Sequence, residues 1–218
     1  GIYKEGTHMV IPVEACLLHH ERLDEAIDAV RRAAIFCRYK PYDEDRHTGL
    51  IRHVLVRHSR LTDEILAVLV TASKELPGSR SFVKKVRELC PQVSTIVQNI
   101  NPRSTSAVLG FSEKVLYGKG YIVDRLCGIT FRIAASSFYQ VNPVQTEILY
   151  QTAMEAAELD GNQTVLDAYC GVGTIGLAAA SRAKFVLGIE RNGSAVKCAA
   201  QNAKDNGITN AKFVNADA

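Results

Sequence analysis

The sequence predicts an α/β protein in two parts, a mixed α/β domain at residues 1–135 and a parallel α/β domain at residues 136–218. Three observations support this prediction. Short β-branched runs alternate with amphipathic stretches along the whole chain. The early strands follow one another across short turns, whereas a helix separates each pair of later strands. A glycine-rich turn, "DAYCGVGTIG" at Asp167–Gly176, joins the first of the later strands to its helix.

The first part is expected to be a sheet with helices on one face. A helix is predicted over 21–36, with these apolar residues at helical spacing: Leu23, Ile27, Val30 and Ala34. Runs at 50–57 and 64–70 indicate adjacent antiparallel strands. A second helix at 79–90 carries Phe82, Val86 and Leu89 in register, and Pro91 stops it. Further strands are predicted at 93–102 and in two runs within 114–133.

The second part opens with a helix that has three start signals. Asn142 can cap it, Pro143 suits its first position, and Gln145 completes a capping box. Its predicted buried face consists of Val144, Ile148, Thr152, Ala156 and Leu159. Strands and helices then alternate as 164–169, 174–183, 184–190, 194–206 (closed by Gly207) and 211–218. This alternation predicts right-handed crossovers and a three-stranded parallel sheet, and a doubly wound sheet normally has about five strands or more.

The composition is that of an ordinary globular protein and excludes several classes. Hydrophobic residues make up 47% of the 218 residues, and charged residues make up 22%. No apolar run reaches the roughly 20 residues that span a bilayer, so no membrane partner is expected. The protein is also expected to be cytoplasmic and monomeric. The net charge of +3 permits a polyanionic partner without requiring one. The six cysteines include no C-x-x-C pair, which argues against a zinc site within the chain and against a disulfide scaffold.

The turn at Gly171–Gly176 has the spacing G-x-G-x-x-G, which two kinds of cofactor can use. In a dinucleotide site, such glycines let the backbone approach a pyrophosphate at a helix N-terminus. An acid about 20 residues further on then binds the ribose, and Glu190 lies at that distance. Because this spacing alone is weak evidence, an NAD(P)-dependent oxidoreductase remains an alternative.

Asp167, at the end of the preceding strand, distinguishes the two cofactors. A carboxylate beside a pyrophosphate would repel it in a site without water. S-adenosylmethionine has no phosphate and carries a cationic sulfonium and an ammonium group, both of which the carboxylate would attract. Glu190 can accept hydrogen bonds from ribose hydroxyls in either ligand. The sequence therefore favours S-adenosylmethionine.

Longer motifs show a resemblance to a known family. The stretches "SFYQVNPVQTEILY", "VLDAYCGVGTIGLA" and "AVKCAAQNAKDNGITNAKFVNADA" closely resemble the uracil-5 RNA methyltransferases. The stretches "GTHMVIPVEACLLHH" and "GLIRHVLVRHS" resemble the central domain of the same family. The resemblance covers essentially the whole chain. It implies a central mixed α/β domain followed by the first half of a Rossmann-like, class I S-adenosylmethionine-dependent methyltransferase domain.

The resemblance also implies which residues contact the cofactor. Gln140 matches a contact in the F-x-Q-V-N motif, and Tyr169 matches the aromatic residue beside the adenosine, where stacking is favourable. Thr174 matches a loop contact, Glu190 the ribose acid, and Asp217 a position that reaches the adenine. The full predicted cofactor-binding set is Gln140, Asp167, Tyr169, Gly171, Gly173, Thr174, Glu190 and Asp217.

The family's reaction is methylation of carbon 5 of a uridine in RNA through a covalent cysteine adduct. The family resemblance favours 23S ribosomal RNA over transfer RNA as the substrate. In the family, the nucleophilic cysteine and the carboxylate base lie beyond the third strand of the methyltransferase sheet. The chain is therefore expected to be a fragment that lacks both ends, carries no catalytic residue and is inactive alone. Cys170 is not expected to replace the nucleophile, and an RNA-binding module without activity remains an alternative.

Cys16 matches a family position that binds a [4Fe–4S] cluster. Such a cluster needs four thiolates, and the other three lie before that position in the family, so a cluster is expected only in a longer protein. A buried structural cysteine fits Cys16 equally well. Basic residues of the first part that could contact RNA phosphates are interleaved with acids: Arg31, Arg32, Arg38, Lys40, Arg52, Arg57 and Arg60.

Overall fold

The computed structural model of the protein describes residues 1–17 and 19–218. It contains two compact units, Gly1–Ile122 and Val123–Ala218. The strand at Ile129–Ala134, which the sequence assigns to the first part, thus groups with the second unit. None of the helices described is both long and apolar enough to cross a membrane.

The first unit is a four-stranded sheet with two helices and a short N-terminal hairpin. Its elements are β1 (Ile2–Tyr3), β2 (Val10–Ile11), α1 (Glu21–Phe36), β3 (Ile51–His58), β4 (Ile65–Thr71), α2 (Ser79–Leu89), β5 (Val93–Ile100) and β6 (Ser112–Tyr117). The strand order is β3-β4-β5-β6. Strands β3 and β4 pair antiparallel, β4 and β5 parallel, and β5 and β6 antiparallel. The predicted antiparallel neighbours are therefore confirmed.

Both helices pack on one face of this sheet, as the sequence predicts. The core includes Ala26, Ala29, Val30, Ala33, Ile65, Ala67, Leu69, Phe82, Val86, Val93 and Ile96. The predicted α2 face is confirmed, whereas the predicted α1 face is rotated, because Ile27 is 38% exposed and three alanines are buried instead. The reason is that α1 packs against α2 as well as the sheet. Small side chains let the helices approach closely.

The second unit contains a hairpin and a parallel βαβ arrangement. Its elements are β7 (Tyr121–Leu126, whose first two residues fall in the first unit), β8 (Ile129–Ala134), α3 (Pro143–Ala156), β9 (Thr164–Asp167), α4 (Thr174–Ala179), a 3₁₀ turn (Ala180–Arg182), β10 (Phe185–Glu190), α5 (Gly193–Asp205) and β11 (Ala211–Asn215). The parallel sheet has the order β11-β10-β9, and both pairs are parallel, which confirms the predicted topology.

The region 114–133 holds parts of three strands rather than the two that the sequence predicts. The additional turn is Cys127–Gly128, between β7 and β8, and both residues have positive φ angles of 51° and 76°. Tight hairpin turns of this kind usually contain Asn-Gly or Asp-Gly. Because Cys127 stands at the first position instead, the sequence does not indicate the boundary between β7 and β8.

Helix α3 begins as predicted but buries a different face. The Asn142 side chain accepts a hydrogen bond from the Gln145 amide at 3.2 Å, and Pro143 is the first helical residue. However, Val144 and Ile148 are 48% and 55% exposed, and Thr146 and Tyr150 are buried instead. The buried face carries hydroxyl groups, which a search for apolar periodicity does not count.

Candidate cofactor-binding site

The glycine turn links the end of β9 to the start of α4. Gly171 and Gly173 have φ angles of +54° and +84°, a region that side-chain-bearing residues rarely adopt. Space beside Gly171 is open, whereas a Cβ at Gly173 would lie 3.0 Å from the Phe213 ring. Both positions therefore need glycine, and the open side of the turn at Gly171 leaves room for a ligand.

Asp167 lies at the carboxyl end of β9, beside the turn. Its Oδ2 accepts a hydrogen bond from the Gly176 amide at 3.2 Å, in the first turn of α4. Burial raises the pKa of this carboxyl, the bond from Gly176 lowers it, and the negative charge of Glu190 raises it further. The site therefore already holds a partly desolvated carboxylate, which a cation would stabilise and a phosphate would not.

Glu190 is the last residue of β10, and its carboxylate accepts hydrogen bonds from the glycine turn and from the loop that follows β10. Its Oε2 accepts from the Gly171 amide at 3.1 Å, and its Oε1 accepts from the Asn192 amide at 2.7 Å. Gly188 and Asp167 are direct partners across the two strands, so both carboxylates belong to the same edge of the sheet. Each carboxylate oxygen has a second lone pair, so Glu190 can still accept hydrogen bonds from two ribose hydroxyls.

Tyr150 is a site residue that the sequence does not reveal. It is buried in α3, and its hydroxyl lies 2.8 Å from the Thr174 hydroxyl. Burial is the main cause that raises the pKa of this tyrosine, and polar interactions with Thr174 and Gln140 lower it. Tyr150 thus connects two residues predicted to bind cofactor. In the sequence, only the helical spacing of four residues between Thr146 and Tyr150 indicates that the two share a face of α3.

The remaining predicted contacts lie on the surface. Tyr169 is 79% exposed and follows β9 closely. Asp217 is also exposed and lies just beyond β11. The structure therefore leaves both side chains accessible to a ligand.

Cys170 lies within the turn but is unsuited to nucleophilic attack. It is only 5% exposed. Burial, followed by the charges of Asp167 and Glu190, raises the pKa of its thiol to about 12. Because the thiolate is the nucleophilic form, a thiol that is protonated at neutral pH cannot add to a uracil ring.

Cys16 is the residue predicted to bind an iron–sulfur cluster in a longer protein. Cys16 is half-buried, and its amide donates to Asp24 Oδ2 at 3.3 Å. Within residues 1–17 and 19–218, no group of three or more histidine, cysteine or acidic residues is placed to hold a metal ion. The predicted cluster ligand therefore remains a prediction about a longer protein.

Two comparisons with known proteins identify the fold. Residues 159–218 match a family model described as a methyltransferase domain. The structure also superposes with a TM-score of 0.79 on the Pyrococcus abyssi tRNA (uracil-54, C5)-methyltransferase, solved with S-adenosyl-L-homocysteine. The fold is that of a class I methyltransferase. The superposition covers 97% of this chain and 51% of the archaeal chain, with 23% identity.

Sequence relatives extend the similarity beyond the methyltransferase fold to the whole chain. The chain is 43% identical over 218 residues to an uncharacterized RNA methyltransferase of Halalkalibacterium halodurans. It is 44% identical over 213 residues to a second such protein from Bacillus cereus. It spans 48% and 46% of these two relatives, which is about half of their length.

Proposed function

We propose that the protein containing this chain methylates carbon 5 of a uridine in RNA, with S-adenosylmethionine as the methyl donor. The chain supplies the cofactor-binding part of the catalytic domain. The names of the bacterial relatives support an RNA methyltransferase. The archaeal structural neighbour, which acts on uracil in transfer RNA and was solved with S-adenosyl-L-homocysteine, supports both the target base and the cofactor.

The observation that carries this proposal is the pair of carboxylates at the ends of β9 and β10. Asp167 is half-buried beside the glycine turn, and Glu190 accepts from the Gly171 amide of the same turn. The charge of Asp167 disfavours a pyrophosphate and favours the ammonium and sulfonium groups of S-adenosylmethionine, and Glu190 suits the ribose. This argues for a methyl donor rather than for a nicotinamide dinucleotide.

Each cofactor-binding residue then has a role suited to its chemistry. Asp167 attracts the cationic part, Glu190 accepts from the ribose, and exposed Tyr169 stacks on the adenine. Thr174, which is bonded to Tyr150, and Gln140, which lowers the pKa of the same tyrosine, line the same loop. Asp217 reaches the adenine end. When bound, the cofactor supplies an electrophilic methyl group.

The uracil chemistry is assigned to residues outside this chain. A cysteine thiolate would add to carbon 6, and carbon 5 would take the methyl group from the sulfonium, which leaves as S-adenosylhomocysteine. A carboxylate would then remove the carbon 5 proton, and the cysteine would leave. The target base has to leave its stack to be reached. Ribosomal RNA is the favoured substrate on the family resemblance, and transfer RNA is the substrate named for the structural neighbour.

A thermal-shift titration tests the cofactor assignment on this chain. S-adenosylhomocysteine should raise the melting temperature, because a ligand at about 100 times its dissociation constant stabilises the folded state by roughly 2.7 kcal/mol. NADH at the same concentration should leave it unchanged. Stabilisation by NADH alone would replace the proposal with an oxidoreductase.

The reaction itself is tested with a protein of the relatives' full length and RNA tritiated at carbon 5 of uridine. Methylation at that carbon displaces the labelled proton, so tritium should appear in the water in step with methyl transfer. Methyl transfer without tritium release would point to a different target atom. No transfer to ribosomal or transfer RNA would support an RNA-binding module without activity.

A further inference from the structure

We propose that helix α2 presents a stripe of three cations that binds the phosphate backbone of the RNA substrate. The stripe consists of Arg80, Lys84 and Arg87. This inference rests on the proposed function, since it assumes that the ligand is RNA. It adds a binding surface in the first unit, where the sequence alone singles out other basic residues.

The three side chains share the solvent face of α2. Their spacing of four and three residues places them in one row, with neighbours about 5–6 Å apart. All three are exposed, whereas Phe82 and Val86 on the other side of the helix are fully buried. The core contacts of Phe82 and Val86 fix the orientation of the helix, so the row of cations faces solvent.

The stripe is free of acidic partners. Within residues 1–17 and 19–218, no carboxylate lies within 4.0 Å of the charged groups of Arg80, Lys84 or Arg87. Several cations of the same unit are paired instead: Arg31 and Arg32 with Asp28, Arg52 with Glu44, and Lys85 with Glu88. Three cations without such a carboxylate partner therefore lie side by side on one face of α2. This finding makes Arg31, Arg32 and Arg52 weaker candidates for phosphate contacts.

An aromatic residue and a fourth cation extend the stripe. The Arg87 guanidinium lies over the Tyr117 ring, 4.4 Å from its centroid, at the end of β6. The exposed Lys119 follows in the turn to β7. The buried Thr95 holds this turn, since its hydroxyl donates to the Tyr117 carbonyl and accepts from the Gly120 amide. A stacked guanidinium keeps its planar donors available for a phosphate. Cations interleaved with aromatic residues are typical of single-stranded RNA surfaces.

The test measures binding of a fluorescein-labelled oligouridine to the full chain by fluorescence anisotropy over a range of salt concentrations. One variant combines Arg80→Ala, Lys84→Ala and Arg87→Ala. The matched control combines Arg31→Ala, Arg32→Ala and Lys85→Ala. Both variants remove two arginines and one lysine, so they have the same net charge, but the control removes cations that already have carboxylate partners.

The stripe variant should reduce the slope of log affinity against log salt by about 2, since each phosphate contact contributes about 0.7 for single strands. Near 0.1 M salt this corresponds to roughly a 100-fold loss of affinity. The control should bind nearly as well as the unmodified chain. If the stripe variant has a lower melting temperature, the single change Lys84→Glu provides a second test. It should weaken oligouridine binding and leave the melting temperature unchanged.

Equal losses in the two triple variants would overturn the proposal, because net charge alone would then explain them. Absence of oligouridine binding by the unmodified chain would also overturn it. Equally tight binding of polyglutamate through the same residues would assign an acidic protein partner instead. The shift with S-adenosylhomocysteine is measured without RNA, so failure of the stripe is distinguishable from failure of the proposed function.

Discussion

We expect Asp167 to stabilise a bound cation at a cost to the stability of the folded protein without ligand. Burial raises its pKa above the ordinary value of 3.8, so the folded protein binds the proton more tightly than the unfolded protein does. The protonated form is therefore the one that favours folding, and stability decreases as the pH rises through the window between 3.8 and the raised pKa. A cation bound beside this carboxylate would favour its charged form and so oppose the effect of burial.

The variant Asp167→Asn should separate these two effects. The amide oxygen of the new side chain can still accept from the Gly176 amide. At neutral pH the free energy of unfolding should stay equal or rise by no more than about 1 kcal/mol, because solvent screens the partly exposed carboxylate. Affinity for S-adenosylhomocysteine should fall about tenfold or more, equivalent to about 1.4 kcal/mol.

Melting curves at several pH values and calorimetric titration check this prediction. The stability advantage of the Asp167→Asn variant over the unmodified chain should shrink as the pH falls through the raised pKa of Asp167 towards its ordinary value of 3.8. Unchanged affinity for S-adenosylhomocysteine in the variant would remove Asp167 from the cofactor site.

Residues whose role follows from a local motif could be predicted from the sequence. The Asn142 cap is one example, and the glycines at 171 and 173 are another, because their neighbours along the chain reveal their function. Tyr150 could not be predicted. Its hydroxyl reaches Thr174, 24 residues away, and only the folded packing of α3 near α4 brings the two together.

At the scale of elements, the β10–β11 pair depends on one glycine. Gly188 and Phe213 are direct partners across the two strands. A Cβ at Gly188 would lie 2.4 Å from the Phe213 ring and 2.9 Å from the Cys170 sulfur. The aromatic ring therefore occupies the space that a side chain would need, and the glycine turn packs behind it.

Gly188→Ala should destabilise the protein by roughly 1–3 kcal/mol, the usual cost of overpacking. Urea denaturation measures this free energy. A double-mutant cycle provides the control, because in a Phe213→Leu background the added methyl group should cost clearly less. The same cost in both backgrounds would mean that the ring does not cause the strain.

Helix α5 shows why element positions were only partly predictable. Its limits follow from apolar periodicity and from Gly207, but its docking depends on two asparagines. The Asn206 side chain donates to the Thr130 carbonyl and accepts from the Thr130 amide. The fully buried Asn202 accepts from the Arg132 amide and donates to the Val172 carbonyl. These side chains satisfy backbone groups of β8 and the turn, and no sequence pattern indicates such partners.

At the scale of the whole molecule, the candidate cofactor site is exposed to solvent in the part of the chain described. Leu166 and Tyr169 are 60% and 79% exposed, and a cavity of about 460 Å³ between α5 and β11 contains no residue of the glycine turn. Small-molecule sites usually bury about 70–90% of the ligand. The bacterial relatives are about twice as long as this chain.

We therefore expect weak binding of S-adenosylhomocysteine to the 218-residue chain, with a dissociation constant above about 1 μM, or less than about 8.2 kcal/mol of binding free energy. Isothermal titration calorimetry measures it, and a protein of the relatives' full length should bind more tightly. Sub-micromolar affinity of the short chain would show that the described residues already enclose the ligand.

The order of the two parts and the parallel topology could be predicted from periodicity, because a helix between two strands forces a crossover. Which face of each helix is buried could not be predicted in the same way. Ile27 and Ile148 are at helical spacing with apolar neighbours, yet both are exposed, because burial depends on which elements meet in space.

The position of Cys170 also has a consequence for oxidative stress. Peroxide converts thiolates to sulfenic acid far more readily than it converts protonated thiols. A buried sulfur whose pKa is about 12 should therefore stay reduced while accessible cysteines are oxidised. After exposure to peroxide, Cys170 should therefore still be a free thiol when the accessible cysteines have been oxidised.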